Sequence, residues 1–133
     1  MDKKSVYALS APRPVGPYSQ AVICGGMVYT AGQIGLDPST GALAGGDVKI
    51  QTRQVMANLE AVLSEAGASF NDVVKTTIFI LNMADFPLVN EIYGAFFKDT
   101  PPARSTVAVA ALPLGGLVEI EMIACLPDGS ASF

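Results

Sequence analysis

The stretch VVKTTIFIL at residues 73–81 decides the fold class, because it stands between two helix-forming patterns. Its β-branched and aromatic residues favour a buried strand. Before it, Val55, Leu59 and Val62 recur at helical spacing and predict an amphipathic helix over residues 50–66. A buried strand that follows such a helix indicates a domain in which helices pack against a sheet.

A second helix is predicted after this strand, over residues 83–98. Phe86, Val89 and Tyr93 form its apolar stripe, and Asn82 is placed to cap its first turn. Both helices therefore have an apolar face that needs a sheet to pack against.

Further β-rich runs on either side of this unit complete the predicted sheet. These runs are residues 18–24, 27–31, 104–111 and 118–125, and a short additional strand is considered near Val6. Two glycines between the first two runs suit a tight hairpin turn. The predicted order is β-β-α-β-α-β-β, an α+β fold with one mixed sheet and both helices on one face. We expect a single domain over residues 1–133, with residues 127–133 as a flexible tail.

The composition predicts self-association. Only 15% of the residues are charged and the mean hydropathy is +0.42, which implies more apolar surface than 133 residues can hide in one small domain. A large apolar subunit interface explains the excess. We therefore expect a homo-oligomer in which a neighbouring subunit covers the sheet face opposite the helices.

Charge and residue types exclude several kinds of function. The formal net charge is −4 and no run of basic residues occurs, which argues against nucleic-acid binding. The sequence has no histidine, so a histidine-assisted nucleophile is excluded. Two isolated cysteines cannot supply a zinc site, although an all-carboxylate metal site stays open.

The cellular location is predicted from two features that the sequence does not show, a membrane-spanning helix and a signal peptide. Residues 14–36 carry no charge, but their glycines and prolines do not suit a membrane-spanning helix. No signal peptide is recognisable at the start of the sequence. We therefore expect a cytoplasmic protein with free thiols and no membrane partner.

Arg104 is the sharpest candidate for a functional residue. It opens an apolar strand, and residues 105–118 carry no charge, so its guanidinium needs a partner. One interpretation is a salt bridge to Glu119, to Glu121 or to an acidic residue of another subunit. The other is a bidentate clamp on a ligand carboxylate.

Glu119 and Glu121 alternate with apolar residues, as on a solvated sheet face, although a carboxylate there can also orient or deprotonate water. If the last two predicted strands pair as a hairpin, Arg104 and Glu119 lie on the same face of the sheet, away from the helices. The hairpin then separates them by roughly 20 Å. A site that uses both residues must therefore be shared between subunits.

Tyr18, Gly32 and Asn90 are weaker candidates. Tyr18 follows a turn and could line a pocket, and Gly32 would let a ligand approach the backbone closely. Asn90 is a polar position on the second helix. Each of the three also has a purely structural explanation.

Six segments of the sequence, in order, resemble the Rid/YjgF family, and within it the reactive intermediate deaminase A (RidA) subgroup. They are VGPYSQA (15–21), YTAGQIGLDPSTG (29–41), VVKTTIFI (73–80), DFPLVNEIYGAFF (85–97), PPARSTVAVAALP (101–113) and VEIEMIA (118–124). The resemblance covers nearly the whole chain. It implies a fold similar to that of chorismate mutase, assembled as a homotrimer with three clefts between subunits.

The resemblance also implies the chemistry. Members of this subgroup hydrolyse 2-iminopropanoate and 2-iminobutanoate to 2-oxo acids and ammonia, and they need no cofactor. By position, Arg104 matches the arginine that binds the substrate carboxylate, Glu119 the glutamate that positions water, and Tyr18 the pocket tyrosine. Gly32 and Asn90 match cleft positions.

Two expected substrate-binding positions depart from the family pattern. The family often has serine where this chain has Ala31, and some members have cysteine where it has Thr106. These changes remove a hydroxyl contact and a pocket thiol. Two alternative functions stay open: a non-catalytic binder of small 2-oxo acids that uses the same arginine, and a chaperone-like or RNA-cleaving protein.

Overall fold

The computed structural model describes residues 2–127, and the predicted tail lies outside them from residue 128 on. Within this range the chain forms seven strands and two α-helices. The strands are β1 (Lys4–Val6), β2 (Ala21–Cys24), β3 (Met27–Thr30), β4 (Gln33–Ile34), β5 (Val73–Ile80), β6 (Ala103–Ala108) and β7 (Val118–Cys125), and the helices are α1 (Val48–Ala66) and α2 (Phe86–Gly94).

All of these strands belong to one mixed sheet, which confirms the predicted α+β architecture. The order across the sheet is β1-β2-β3-β7-β5-β6, and β4 also pairs with β7. β5 runs antiparallel to β7 and parallel to β6. Gly25 and Gly26 make the predicted hairpin turn, with φ of 60° and 80°. No helix in residues 2–127 combines the length and the apolar character that crossing a bilayer requires.

The predicted hairpin between the last two strands is wrong. β5 lies between β6 and β7, so these two strands do not pair. Arg104 lies opposite Thr76 of β5, which is buried on the helix side, whereas Glu119 lies opposite Phe79. Successive residues of a strand point to opposite faces. Arg104 therefore lies on the helix face and not, as predicted, on the same face as Glu119.

The first helix begins earlier than its apolar pattern indicates because a carboxylate caps it. Asp47 accepts hydrogen bonds from two backbone N–H groups of the first turn, at 2.6 and 3.2 Å. Gly67 ends α1 in the left-handed conformation, with φ of 91°. The predicted stripe of Val55, Leu59 and Val62 is completely buried.

The second helix is shorter than the predicted residues 83–98. Met83–Asp85 form a 3₁₀ turn, in which the side-chain oxygen of Asn82 accepts a backbone hydrogen bond at 3.0 Å. After Gly94, backbone N–H groups bond three residues back instead of four, so the α-helix ends there.

One hydrophobic core lies between the helices and the sheet. Its completely buried side chains come from α1, α2, β3, β5 and β7, and they include Leu59, Val89, Val28, Ile78 and Ile120. The opposite face of the sheet stays partly open to solvent, since Tyr29 and Val107 are each 43% exposed. This is the face for which a subunit contact was predicted.

Candidate functional site

The predicted site residues divide between two clefts of the chain. The larger, here called the Glu119 cleft, has a volume of about 1020 Å³, and its walls include Tyr18, Ala31, Gly32, Leu114 and Glu119. The smaller, the Arg104 cleft, has a volume of about 430 Å³ and is lined by Asn90, Tyr93, Gly94, Phe97, Pro101, Pro102 and Arg104. Thr106 is half-buried on β6 and lines neither cleft.

Three side chains of α2 orient the guanidinium of Arg104. Asn90 Oδ1 accepts a hydrogen bond from Arg104 Nη1 at 2.7 Å. The central guanidinium carbon lies 5.1 Å from the ring centroids of both Phe86 and Tyr93. Cations are attracted to aromatic faces, and the amide restricts rotation of the guanidinium. Because all three partners are uncharged, they hold the group without neutralising it.

Arg104 has no acidic partner in the part of the chain that the structure describes. The ion pair found in residues 2–127 joins Lys49 to Glu91 at 3.8 Å. The interpretation of Arg104 as half of a salt bridge to Glu119 or Glu121 of its own chain is therefore wrong. Arg104 is exposed, and the guanidinium keeps donors free for an anion.

A buried hydrogen bond fixes the tyrosine that contacts Arg104. The hydroxyl of Tyr93 lies 2.7 Å from Oγ1 of Thr76, and both residues are almost completely buried. Burial raises the pKa of Tyr93, against the opposing effects of the Thr76 hydrogen bond and the Arg104 charge. The ring is thus a neutral wall that is buried and held by a hydrogen bond. Sequence reasoning assigned Tyr93 and Phe86 only to an apolar stripe and missed this contact.

Glu119 is half-buried in its cleft, on the other face of the sheet. Burial raises the pKa of the Glu119 carboxyl, and the charge of Glu121, two residues along the same strand face, raises it further. A carboxylate whose pKa is raised is a stronger proton acceptor than an ordinary one. Glu119 is therefore chemically suited to act as a general base.

Gly32 provides the space that the Glu119 side chain occupies. A Cβ atom at position 32 would lie 2.8 Å from the carboxyl carbon of Glu119 and 3.0 Å from its Cγ. The φ of Gly32 is outside the left-handed region, so other residues fit its backbone conformation. Glycine at this position leaves the carboxylate its place, since any Cβ atom would push the end of the Glu119 side chain away.

Two buried amides of α1 hold the walls of the Glu119 cleft. Asn58 Nδ2 donates hydrogen bonds to the carbonyls of Ile34 at 3.3 Å and Leu36 at 2.9 Å, and both of these residues line the cleft. Gln51 Oε1 accepts a hydrogen bond from the N–H of Leu117 at 2.8 Å, just after a turn on the cleft rim. The cleft walls are therefore anchored to the helix.

The fold is a small α+β domain with two surface clefts. The sequence pattern of the family described as Endoribonuclease L-PSP matches residues 8–126. The chain belongs to this family, which is the Rid/YjgF family that its motifs resemble.

Relatives and solved structures agree with this assignment. A mouse protein named 2-iminobutanoate/2-iminopropanoate deaminase is 48% identical over 92% of this chain and 90% of its own length. An L-PSP protein of Entamoeba histolytica superimposes with a TM-score of 0.92 at 51% identity, covering 94% of this chain and 100% of that one. TdcF of E. coli, crystallised with bound serine, superimposes with a TM-score of 0.88 at 42% identity, covering 92% and 98%.

Proposed function

We propose that this protein hydrolyses small 2-imino acids, such as 2-iminobutanoate and 2-iminopropanoate, to 2-oxo acids and ammonia. The observation that carries the proposal is the guanidinium of Arg104, which uncharged groups orient and which no acidic side chain within residues 2–127 neutralises. Such a group suits the carboxylate of a small ligand. The name of the mouse relative and the serine bound to TdcF support this substrate class.

The reaction adds water to a C=N bond and then expels ammonia. Arg104 binds the carboxylate of the imino acid. Glu119 removes a proton from a water molecule while the water oxygen bonds to the imine carbon and the C=N electron pair moves to nitrogen. Glu119 passes this proton to the nitrogen, the proton of the new hydroxyl group follows through Glu119, and the C–N bond then breaks as the carbonyl forms and ammonia leaves. One imino acid and one water thus give one 2-oxo acid and one ammonia, with no cofactor.

The other predicted site residues have supporting parts in this proposal. Tyr18, Ala31 and Gly32 form the wall beside the reacting carbon, and Thr106 stays a predicted substrate contact. Asn90 acts through Arg104, since its amide oxygen already accepts a hydrogen bond from the guanidinium. Positioning by these groups is the main source of catalysis when the substrate is itself electrophilic.

We further propose that the active unit is a cytoplasmic homotrimer, in which the Arg104 cleft of one subunit meets the Glu119 cleft of the next. The separation of the two groups on opposite faces of one sheet supports a shared site. β6, which carries Arg104, is an edge strand and is therefore available to a neighbour. Head-to-tail cyclic assembly brings such unlike surfaces of identical subunits together.

The test is turnover of freshly generated 2-iminobutanoate, followed as release of 2-oxobutanoate and ammonia above the spontaneous rate. We expect Arg104→Ala to lower kcat/KM by about 100-fold or more while light scattering still finds a trimer. A wild-type rate equal to the spontaneous rate would contradict the proposal that this protein is a deaminase. If the wild-type protein then still bound 2-oxobutanoate, the result would favour the alternative function, a non-catalytic binder of small 2-oxo acids.

A further inference from the structure

We propose that Leu114 determines which imino-acid side chains this protein accepts, an inference that rests on the proposed function. Leu114 lines the Glu119 cleft and is 68% exposed. Its backbone is left-handed, with φ of 56° and ψ of 21°. In residues 2–127 no other residue except glycine has a positive φ.

The backbone of Leu114 is strained, and its surroundings enforce the strain. A left-handed conformation costs leucine free energy that glycine avoids and asparagine largely avoids. The turn is closed by hydrogen bonds from the N–H of Gly115 to the carbonyl of Leu112 at 3.3 Å and from Gly116 to Pro113 at 3.0 Å. A large residue kept in such a conformation at a cleft points to a functional use of its side chain.

The side chain of Leu114 belongs to an apolar rim. Leu9 and Val15 line the same cleft and are 85% and 88% exposed. Aliphatic groups that gather in water around one cleft mark a binding surface. Unlike Leu114, neither of the other two has a positive φ.

The chemistry of the substrate indicates that its side chain is the group that contacts this rim. The reacting carbon of a 2-imino acid bears the imine nitrogen, the carboxylate and the side chain. When Arg104 holds the carboxylate and Glu119 faces the reacting carbon through water, the side chain must lie along the remaining wall. Leu114 is part of the cleft wall, so its aliphatic side chain favours substrates whose own side chains are aliphatic and long enough to contact it.

Substitution at position 114 tests this inference with three substrates whose side chains are methyl, ethyl and isobutyl: 2-iminopropanoate, 2-iminobutanoate and the imino acid derived from leucine. We expect Leu114→Gly and Leu114→Asn to lower the ratio of kcat/KM for isobutyl over methyl by about 3- to 10-fold. This change in the kcat/KM ratio is smaller than the discrimination expected of an enclosed hydrophobic pocket, because the rim is open to solvent. Both variants tolerate the left-handed backbone, so their thermal midpoints should equal or exceed that of the wild type. Ile50→Ala removes a 45% exposed aliphatic side chain from α1, outside both clefts, and should not change the ratio.

The outcomes separate this inference from the proposed function. If the wild type accelerates no imine hydrolysis, calorimetry with pyruvate, 2-oxobutanoate and 4-methyl-2-oxopentanoate replaces turnover. A fall in the isobutyl-to-methyl affinity ratio in the variants then supports the role of Leu114 although the deaminase proposal fails. Unchanged ratios in both variants overturn the inference. Loss of assembly with unchanged ratios also overturns it and assigns Leu114 to a subunit contact.

Discussion

Arg104 and Glu119 lie on opposite faces of one sheet, because they pair with Thr76 and Phe79, an odd number of residues apart on β5. The strand that lies between them is part of the core, so no change of side-chain rotamer can bring the two groups into one cavity. A catalytic site that uses the guanidinium and the carboxylate together therefore needs two chains.

Mixing two inactive variants tests the shared site. Arg104→Ala and Glu119→Gln should each lower kcat/KM by about 100-fold or more when assembled alone. After dissociation and joint reassembly in equal amounts, roughly a quarter of the head-to-tail interfaces combine an intact Arg104 with an intact Glu119. About a quarter of the wild-type turnover should therefore return.

The control for this experiment is each variant dissociated and reassembled by itself, which should stay inactive. A mixed preparation that is no more active than its components, although light scattering shows that it has assembled, would contradict a site shared between subunits.

Gly32→Ala should damage activity far more than stability. The new Cβ displaces the Glu119 carboxylate, whose carboxyl carbon it would approach to 2.8 Å. Because a side-chain end can move away, we expect the free energy of unfolding to change by less than about 1 kcal/mol. Displacement of the base should lower kcat by about 10- to 100-fold. Steady-state kinetics and denaturant unfolding measure the two effects.

Gly46→Ala is the matched control, because a Cβ at Gly46 meets no atom within 4 Å and the φ of Gly46 is not positive. It should leave both kcat and stability close to wild type. Equal losses of activity in the Gly32 and Gly46 variants would show that packing of Glu119 over Gly32 is not the cause.

Glu121→Gln should move the acidic limb of the pH–rate profile to lower pH. The proposed base works in its charged form, so activity falls as the pH drops through the pKa of Glu119. That pKa lies above the ordinary value of 4.5, first because of burial and second because of the charge of Glu121. Removing the second cause lowers the pKa of Glu119, and the base then stays charged to lower pH.

The measurement is kcat/KM as a function of pH, with the spontaneous rate subtracted at each point. At higher pH Glu119 is charged in both proteins, so the rate there should fall only slightly, because the base becomes slightly weaker. Glu60→Gln removes an exposed charge from α1 and should not move the limb. A limb that stays in place in Glu121→Gln, or moves upward, would show that another group controls the profile.

Asn90→Asp should weaken substrate binding more than Asn90→Ala does. The aspartate would face Arg104 at the position of a 2.7 Å hydrogen bond and form an ion pair that competes with the substrate carboxylate. We expect KM to rise by about 10-fold or more in Asn90→Asp, with a smaller change in kcat. Titration with 2-oxobutanoate checks the same order of affinity. Equal effects of the two substitutions would contradict a role through the charge of Arg104.

The helices and most strands could be predicted because their causes are local. Apolar spacing identifies the stripe of α1, and a glycine marks its end. The pairing of β7 with β5 could not be predicted, because sequence neighbours usually pair and nothing local opposes that choice. β6 is an edge strand with mostly exposed residues, so its alternation does not report a buried face. For this reason Arg104 was assigned to the wrong side.

The choice of Arg104 and Glu119 as candidates was predictable from the sequence, because each places a charge in an apolar strand. The contact of Tyr93 with Arg104 was not, because the spacing of Tyr93 is fully explained by its helix stripe. That contact exists only because β6 pairs in parallel with β5 beside α2. The left-handed conformation of Leu114 could not be predicted either, since a positive φ in this turn would be expected at the glycines that follow it.

Gln51 and Asn58 make the shape of the Glu119 cleft a property of the folded core. The backbone groups that they bind cannot swing outward unless amides buried inside the protein lose their partners, which is unfavourable. The walls of the Glu119 cleft are therefore preformed before a ligand binds. The conformational entropy lost in ordering these walls is a cost of folding and not of binding. A preformed cleft suits the short-lived imino acid proposed as substrate, because binding needs no slow rearrangement of the protein before the reaction begins.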